Sequence, residues 1–232
     1  MLRIIGRILI TLLVAMAIII IASAIMMSLS EASLLLEKNS WLMGFIPHTA
    51  MLVLSTLILL MLGKGNLGQY GYKLPSDFSF TKIVMLPLVF GVAANIILAY
   101  LPKTDSFLPE GYSFPQIIIF IWLYASVCEE IYTRGLIQGM LSPLAQHGLT
   151  ILKTRVSLPV IIGAAFFSLM HLMAFATTMP SVTLIFFLLV AFLLGVLAGN
   201  QLEKTGSLIP AIIIHIIFNV SGSIVDAVVK FF

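Results

Sequence analysis

Residues 115–130 read Pro-Gln-Ile-Ile-Ile-Phe-Ile-Trp-Leu-Tyr-Ala-Ser-Val-Cys-Glu-Glu, a long apolar run that ends in two adjacent carboxylates. A run of this length and apolarity, continued beyond the glutamates, predicts a helix that lies within a membrane. An ionisable side chain in a bilayer costs several kcal/mol, so such residues usually face the interior of a helix bundle and serve function. Glu129 and Glu130 are therefore the first candidate functional residues.

The rest of the chain has the composition of a membrane protein. Of its 232 residues, 61% are hydrophobic and 9% are charged, whereas a soluble domain carries about 25% charged residues. The apolar residues form runs long enough to cross about 30 Å of hydrocarbon, at roughly 8–28, 42–63, 83–102, 116–140, 158–176, 181–199 and 209–229. These runs predict an all-α fold, a polytopic transmembrane helical bundle of about seven to eight membrane helices. We expect one membrane domain over residues 1–232, because no soluble segment interrupts the pattern.

The basic residues predict the orientation and the partners. With the N-terminus in the cytoplasm, eight basic residues fall inside and three outside, and this excess favours that orientation. The inner set is Arg3, Arg7, Lys64, Lys73, Lys82, Lys153, Arg155 and Lys204, and the outer set is Lys38, Lys103 and Lys230. No basic cluster interleaved with aromatic residues suggests nucleic acid, so the lipid bilayer is the expected partner. The single Cys128 excludes an intrachain disulfide and a cysteine-rich metal site.

The two glutamates are expected to have different roles. Glu130 and Arg134 are four residues apart, so they share a helix face and can pair. Glu129 and Arg134 are five apart, about 140° around an α-helix. Glu129 is then the less neutralised carboxylate, which suits a general base that activates water.

Two histidines and an asparagine complete the candidate site. His215 and Asn219 are four apart on the last apolar run, and both can donate hydrogen bonds to one oxyanion. His171 follows the small residues of 163–165, which let helices approach closely. If the helices are straight, the number of residues from each helix end places Glu129 and His215 at matching depths in the membrane and places His171 deeper.

Three motifs carry a resemblance to a known family. The segment Glu129-Glu130-Ile-Tyr-Thr-Arg134-Gly resembles an E-E-x-x-x-R signature, Phe167-Ser-Leu-Met-His171 resembles F-x-x-x-H, and His215-Ile-Ile-Phe-Asn219 resembles H-x-x-x-N. All three, in this order on separate apolar runs, resemble the CPBP family of CAAX proteases and bacteriocin-processing enzymes, also called the Abi family. One position departs from the pattern, since Thr133 stands where an aromatic residue is common.

The resemblance implies an intramembrane glutamic protease with its catalytic core over about residues 115–225 and its site open to the cytoplasm. It implies that Glu129 and His171 activate water, that His215 and Asn219 stabilise the oxyanion, and that Glu130 and Arg134 support them. The implied substrate is a membrane-associated protein or peptide, of a prenylated CAAX, pheromone or bacteriocin type. The protein is then an integral protein of the cell membrane, or of the endoplasmic reticulum in a eukaryote.

Several alternatives stay open at this point. His171, His215 and either Glu129 or Glu130 are possible Zn²⁺ ligands in a metalloprotease-like site, but without an H-E-x-x-H helix we prefer a mechanism that needs no cofactor. A non-catalytic bacteriocin immunity or scaffold protein is a second function. A transporter or proton relay is a third, although no inverted repeat supports it. We interpret His48, near a membrane boundary, as a structural residue.

Overall fold

The computed structural model describes residues 2–30, 36, 39–102, 111–151, 154–175 and 179–229. Within these ranges the chain forms seven long helices: α1 Leu2–Ser30, α2 Trp41–Leu62, α3 Thr81–Tyr100, α4 Phe114–Leu144, α5 Leu158–Phe175, α6 Ser181–Thr205 and α7 Leu208–Val229. Six of them are long and apolar enough to cross a membrane, and α5 is apolar but shorter. The predicted polytopic helical bundle is confirmed.

Helix α4 is not a regular α-helix around the glutamates. Ile117–Ala125 and Ile131–Gln138 are π-helical, and the α-helical segment Ser126–Glu130 lies between them. The π-helix has i→i+5 hydrogen bonds and is often found at functional sites. The assumption of 3.6 residues per turn was therefore wrong for the segment after Glu130. Both glutamates lie where the α-helical segment gives way to the second π-helical one.

A short β-hairpin stands where the sequence predicted only a loop. Strand β1 is Gly148–Ile151, and strand β2 is Thr154–Ser157, paired antiparallel. Thr150, Thr154 and Val156 are β-branched, which favours an extended backbone in this polar connection. The N–H of Leu158 donates to the carbonyl of His147 at 2.7 Å. The hairpin thus holds the first residue of α5 close to the end of α4.

Two glycines set the position of α6 behind the candidate site. Gly195 and Gly199 are four residues apart, the spacing that lets membrane helices pack closely. A Cβ at Gly195 would lie 2.8 Å from Ala164 Cα of α5, and one at Gly199 would lie 2.8 Å from Gln138 Oε1 of α4. Gln138 Nε2 also donates to the Gly199 carbonyl at 3.0 Å. Helix α6 therefore packs directly against α4 and α5.

On its other side α4 contacts α1. The hydroxyl of Tyr132 donates to the carbonyl of Ala15 at 2.7 Å, and both residues are fully buried. The ring of Tyr132 meets Phe166 of α5 edge to face, with centroids 5.9 Å apart. Since Tyr132 lies only two residues beyond Glu130, these contacts fix the part of α4 that carries the candidate site.

Candidate active site

Glu130 and Arg134 form a buried ion pair. Arg134 Nη1 lies 2.9 Å from Glu130 Oε1, and both side chains are 1% exposed. The same nitrogen donates to Thr133 Oγ1 at 2.6 Å, and the guanidinium carbon lies 4.5 Å from the Phe167 ring centre. The i,i+4 pairing expected from the sequence is present, although this part of α4 is π-helical. Thr133, the residue that departs from the family pattern, accepts the hydrogen bond from Arg134 through its hydroxyl, which a phenylalanine side chain could not do.

His215 joins the last helix to this pair. Its Nδ1 lies 2.9 Å from Glu130 Oε1, which also accepts from Arg134. Because that oxygen is an acceptor, Nδ1 carries the hydrogen and donates it. The other ring nitrogen, Nε2, then lies 3.9 Å from Glu129 Oε2. His215 therefore presents Nε2 to Glu129, as a lone pair when the ring is neutral and as a donor when it is protonated.

The two oxygens of Glu129 have different surroundings. Oε1 lies 3.1 Å from His48 Nε2. Oε2 is buried and has no hydrogen-bond partner among the described residues. A buried polar atom without a partner costs free energy, so a functional explanation is required. Oε2 of Glu130 has the same property, but of the two glutamates only Glu129 lines a cavity.

His171 is oriented by its own helix. Its Nδ1 donates to the carbonyl of Phe167 at 2.8 Å, and its Nε2 has no hydrogen-bond partner among the residues that the structure describes. The Phe167 ring lies between the two catalytic candidates, with centroids 4.8 Å from His171 and 5.4 Å from His215. The sequence placed His171 deeper than the other residues, but it lines the same cavities as Glu129. Counting residues gives depth only for helices normal to the membrane, and membrane helices are commonly tilted.

Asn219 lies in the site, and its amide faces α4. Its Nδ2 donates to Ser126 Oγ at 3.1 Å and to the Ile121 carbonyl at 3.3 Å. An amide nitrogen has two hydrogens, so both are used in this arrangement. Donation to an oxyanion would require Asn219 to exchange one of these partners, and that role stays a prediction.

The sequence interpretation missed His48. It was taken as structural, yet it contacts Glu129 directly. Helix α2 is held against α4 by the stacked rings of Trp41 and Phe120, with centroids 4.7 Å apart, and by Thr49 Oγ1, 2.7 Å from Tyr124 OH. These contacts turn His48 toward Glu129. A histidine inside an apolar run was the available signal, because such residues usually face the bundle interior.

Two cavities meet at Glu129, His48 and His171. The first has a volume of about 500 Å³ and lies among α1, α2, α4 and α5, with Ile19, Ala22, Met51 and Met170 in its wall. The second has a volume of about 250 Å³ and is more polar, with Asn95, His215, Asn219 and Ser223 in its wall. Glu129 is therefore accessible from both sides.

The alternative of a zinc site can be judged from the donor atoms. Among the residues that the structure describes, no group of three or more His, Cys, Asp and Glu side chains is arranged to hold a metal ion. Glu129 Oε1 and Glu130 Oε1 are already engaged by His48 and by Arg134. The described side chains as placed form no such group, the metal-free mechanism stays a prediction, and we derive no step through a metal.

Comparison with known proteins gives one result. Searches of curated proteins and of solved structures each found no match. The family model described as "Type II CAAX prenyl endopeptidase Rce1-like" matches residues 112–221. The matched segment runs from the residues before α4 into α7 and includes all three motifs. Residues 112–221 of this chain are thus similar to the Rce1-like family of type II CAAX prenyl endopeptidases, and this match confirms the resemblance inferred from the motifs.

Proposed function

We propose that this protein is an intramembrane endopeptidase that hydrolyses a peptide bond of a membrane-associated substrate with water activated by Glu129. One observation carries the proposal. Glu129 Oε2 is buried and without a hydrogen-bond partner among the described residues, at the point where two cavities meet. A general base must have a free acceptor within reach of its water, and Oε2 is such an atom.

In the proposed reaction Glu129 takes up one proton from water and later gives it to the leaving group. Oε2 takes a proton from water as the water oxygen forms a bond to the substrate carbonyl carbon. The resulting oxyanion collapses, the C–N bond breaks, and the proton passes from Glu129 to the leaving amine. His171, whose Nδ1 is held by the Phe167 carbonyl, directs its Nε2 lone pair to the same water and orients it.

The oxyanion requires a donor, and His215 is the first candidate. Because Nδ1 donates to Glu130, the ring can donate from Nε2 only when it is protonated. Arg134 and His215 both donate to Glu130 Oε1, so Glu130 holds the His215 ring with its Nε2 toward Glu129. Asn219, in the wall of the second cavity, is the proposed second donor.

We infer the substrate class from the cavity walls and from the family. The larger cavity is lined mainly by aliphatic and methionine side chains, which suit a lipid chain or an apolar peptide segment. We therefore propose a lipid-modified peptide, and a prenylated C-A-A-X peptide is the first substrate to examine. Its apolar part would occupy the larger cavity, and its scissile bond would lie beside Glu129.

The cavities lie away from the basic ends of the helices. Ser23 of α1, Pro47 of α2 and Phe175 of α5, all in the first cavity, belong to the helix halves opposite the ends that carry Arg3 and Lys64. With the N-terminus in the cytoplasm, as the basic residues favour, the site is then reached from the other side of the membrane. A site that is reached from that side is incompatible with the cytoplasmic site that the resemblance implies. We propose the orientation given by the basic residues.

The function is tested with purified protein in detergent. The substrate is an internally quenched farnesylated peptide with a C-terminal C-A-A-X, beside the same peptide without farnesyl. We expect the wild type to cleave the farnesylated peptide, and Glu129→Gln to bind it without cleavage. Glu203→Gln is the matched control, because Glu203 accepts from Ser157 at 2.5 Å beyond the site and should not affect hydrolysis.

The outcomes separate the alternatives. Cleavage by Glu129→Gln at the wild-type rate would reject the glutamate mechanism. Binding without any cleavage by the wild type, of either peptide, would instead favour the scaffold or immunity function.

A further inference from the structure

The contact between His48 and Glu129 holds one proton. His48 Nδ1 lies 2.6 Å from the Gly44 carbonyl, which can only accept, so Nδ1 carries a hydrogen. His48 Nε2 lies 3.1 Å from Glu129 Oε1. Both of these atoms are acceptors unless a proton lies between them. The proposed general base is a carboxylate, so the pair consists of an imidazolium that donates to the Glu129 carboxylate, and Oε1 is engaged.

We propose that His48 is the positioning residue of Glu129, which holds Oε1 so that Oε2 is the oxygen presented to the reacting water. This inference rests on the proposed function and adds to it a residue outside the three motifs and outside the matched segment 112–221. A carboxylate on a flexible side chain can rotate and exchange its oxygens. A hydrogen bond to one oxygen keeps the other in the productive geometry.

The orientation of His48 is prepared by α2 itself. Its Nδ1 bond goes to Gly44, one turn back on the same helix, so the ring faces α4 independently of Glu129. Phe45 stacks on Tyr124 of α4 with ring centroids 5.0 Å apart, which fixes the distance between the two helices. Such prior organisation is expected of a residue that supports a catalytic group.

His48 is not enclosed as a packing residue would be. Its side chain is 23% exposed and that of Glu129 is 14% exposed. Both belong to the wall of the 500 Å³ cavity, beside Pro47 and Met51. The ring therefore lies at the surface that a substrate would contact. The ring supplies a hydrogen bond to Glu129 at that surface and does not fill space in a core.

The test compares three substitutions at one position with the farnesylated peptide as substrate. His48→Phe keeps the ring and removes the hydrogen bond. His48→Gln places an amide N–H near the position of Nε2, and His48→Asn carries the same amide one methylene shorter. Thr56→Val, on the same helix, is the matched control, since Thr56 contacts Tyr72 and not Glu129. Each protein is compared by folded yield, melting temperature, kcat and KM.

We expect His48→Phe and His48→Asn to lower kcat about 10–100-fold with KM nearly unchanged, the loss that follows from removing one hydrogen bond to a charged group. His48→Gln should keep kcat within a few-fold of the wild type, and Thr56→Val should have the kcat of the wild type. Equal kcat for wild type and His48→Phe would overturn the inference, as would equal losses in the Gln and Asn variants at normal yield. If His48→Phe does not fold, the Gln and Asn pair decides. Failure of the wild type to cleave at all would reject the proposed function instead.

Discussion

His215 Nδ1 donates to Glu130 Oε1 at 2.9 Å, and this bond connects α7 to α4 through two buried side chains. The same oxygen accepts from Arg134, so Glu130 is held on two sides and is 1% exposed. Among the described residues, Oε2 of each glutamate is buried without a hydrogen-bond partner, but only Glu129 lines the two cavities. The two adjacent glutamates are expected to respond differently to substitution.

The first prediction concerns the buried ion pair. Arg134→Ala leaves the Glu130 carboxylate buried without its cation, which should cost about 3–5 kcal/mol of stability. We expect a low folded yield and a lower melting temperature in detergent. The double variant Glu130→Gln with Arg134→Met removes both charges and should recover much of that loss. Glu129→Gln should leave yield and melting temperature unchanged. Normal stability of Arg134→Ala would contradict this assignment.

The second prediction concerns the close approach of α6. A Cβ at Gly195 would lie 2.8 Å from Ala164 Cα and 3.2 Å from Arg134 Nη2, so Gly195→Ala must displace backbone or the guanidinium. Overpacking of this kind costs about 1–3 kcal/mol. Thermal unfolding should show the decrease. Gly6→Ala on α1 is the control, since nothing lies within 4 Å of the added carbon. An unchanged melting temperature for Gly195→Ala would show that the two helices separate freely.

The sequence predicted those parts of the site that depend on spacing along one helix. Glu130 and Arg134 pair because residues four apart share a face, and this held even where α4 is π-helical. The position of His48 depends on how α2 crosses α4, and the spacing of residues within α2 does not predict that crossing. The β-hairpin before α5 was missed for a related reason, because its strands are only four residues long and carry little periodic signal.

The third prediction concerns orientation. Lys73 and Ser113 are exposed and lie at opposite ends of the bundle, Lys73 between α2 and α3 and Ser113 immediately before α4. In a Cys128→Ala background, Lys73→Cys should react with an impermeant maleimide only after the membrane is opened. Ser113→Cys should react in intact cells. The native Cys128 is fully buried, so its removal serves only to lower the background. The reverse labelling pattern would place both cavities on the cytoplasmic side.

The fourth prediction concerns the oxyanion. If Asn219 donates to it, Asn219→Ala removes binding of the transition state only, and kcat should fall about 10²–10³-fold with little change in KM. Ser126→Ala is informative beside it, because Ser126 Oγ accepts from Asn219 Nδ2 at 3.1 Å. Losing that acceptor frees one N–H, so Ser126→Ala should retain kcat within a few-fold. A raised KM with normal kcat in Asn219→Ala would show a role in substrate binding instead.

The last prediction concerns metal dependence. The described histidines and carboxylates are not arranged as a metal centre, and Glu129 Oε1 is engaged by His48. We therefore expect cleavage of the farnesylated peptide to survive EDTA and phenanthroline at concentrations that inactivate a zinc protease in the same detergent. A parallel sample with added Zn²⁺ should show no gain. Loss of activity on chelation, restored by Zn²⁺, would contradict the metal-free mechanism. His171 and His215 would then be ligands together with Glu129 or Glu130, since a neutral imidazole and a carboxylate are common zinc donors.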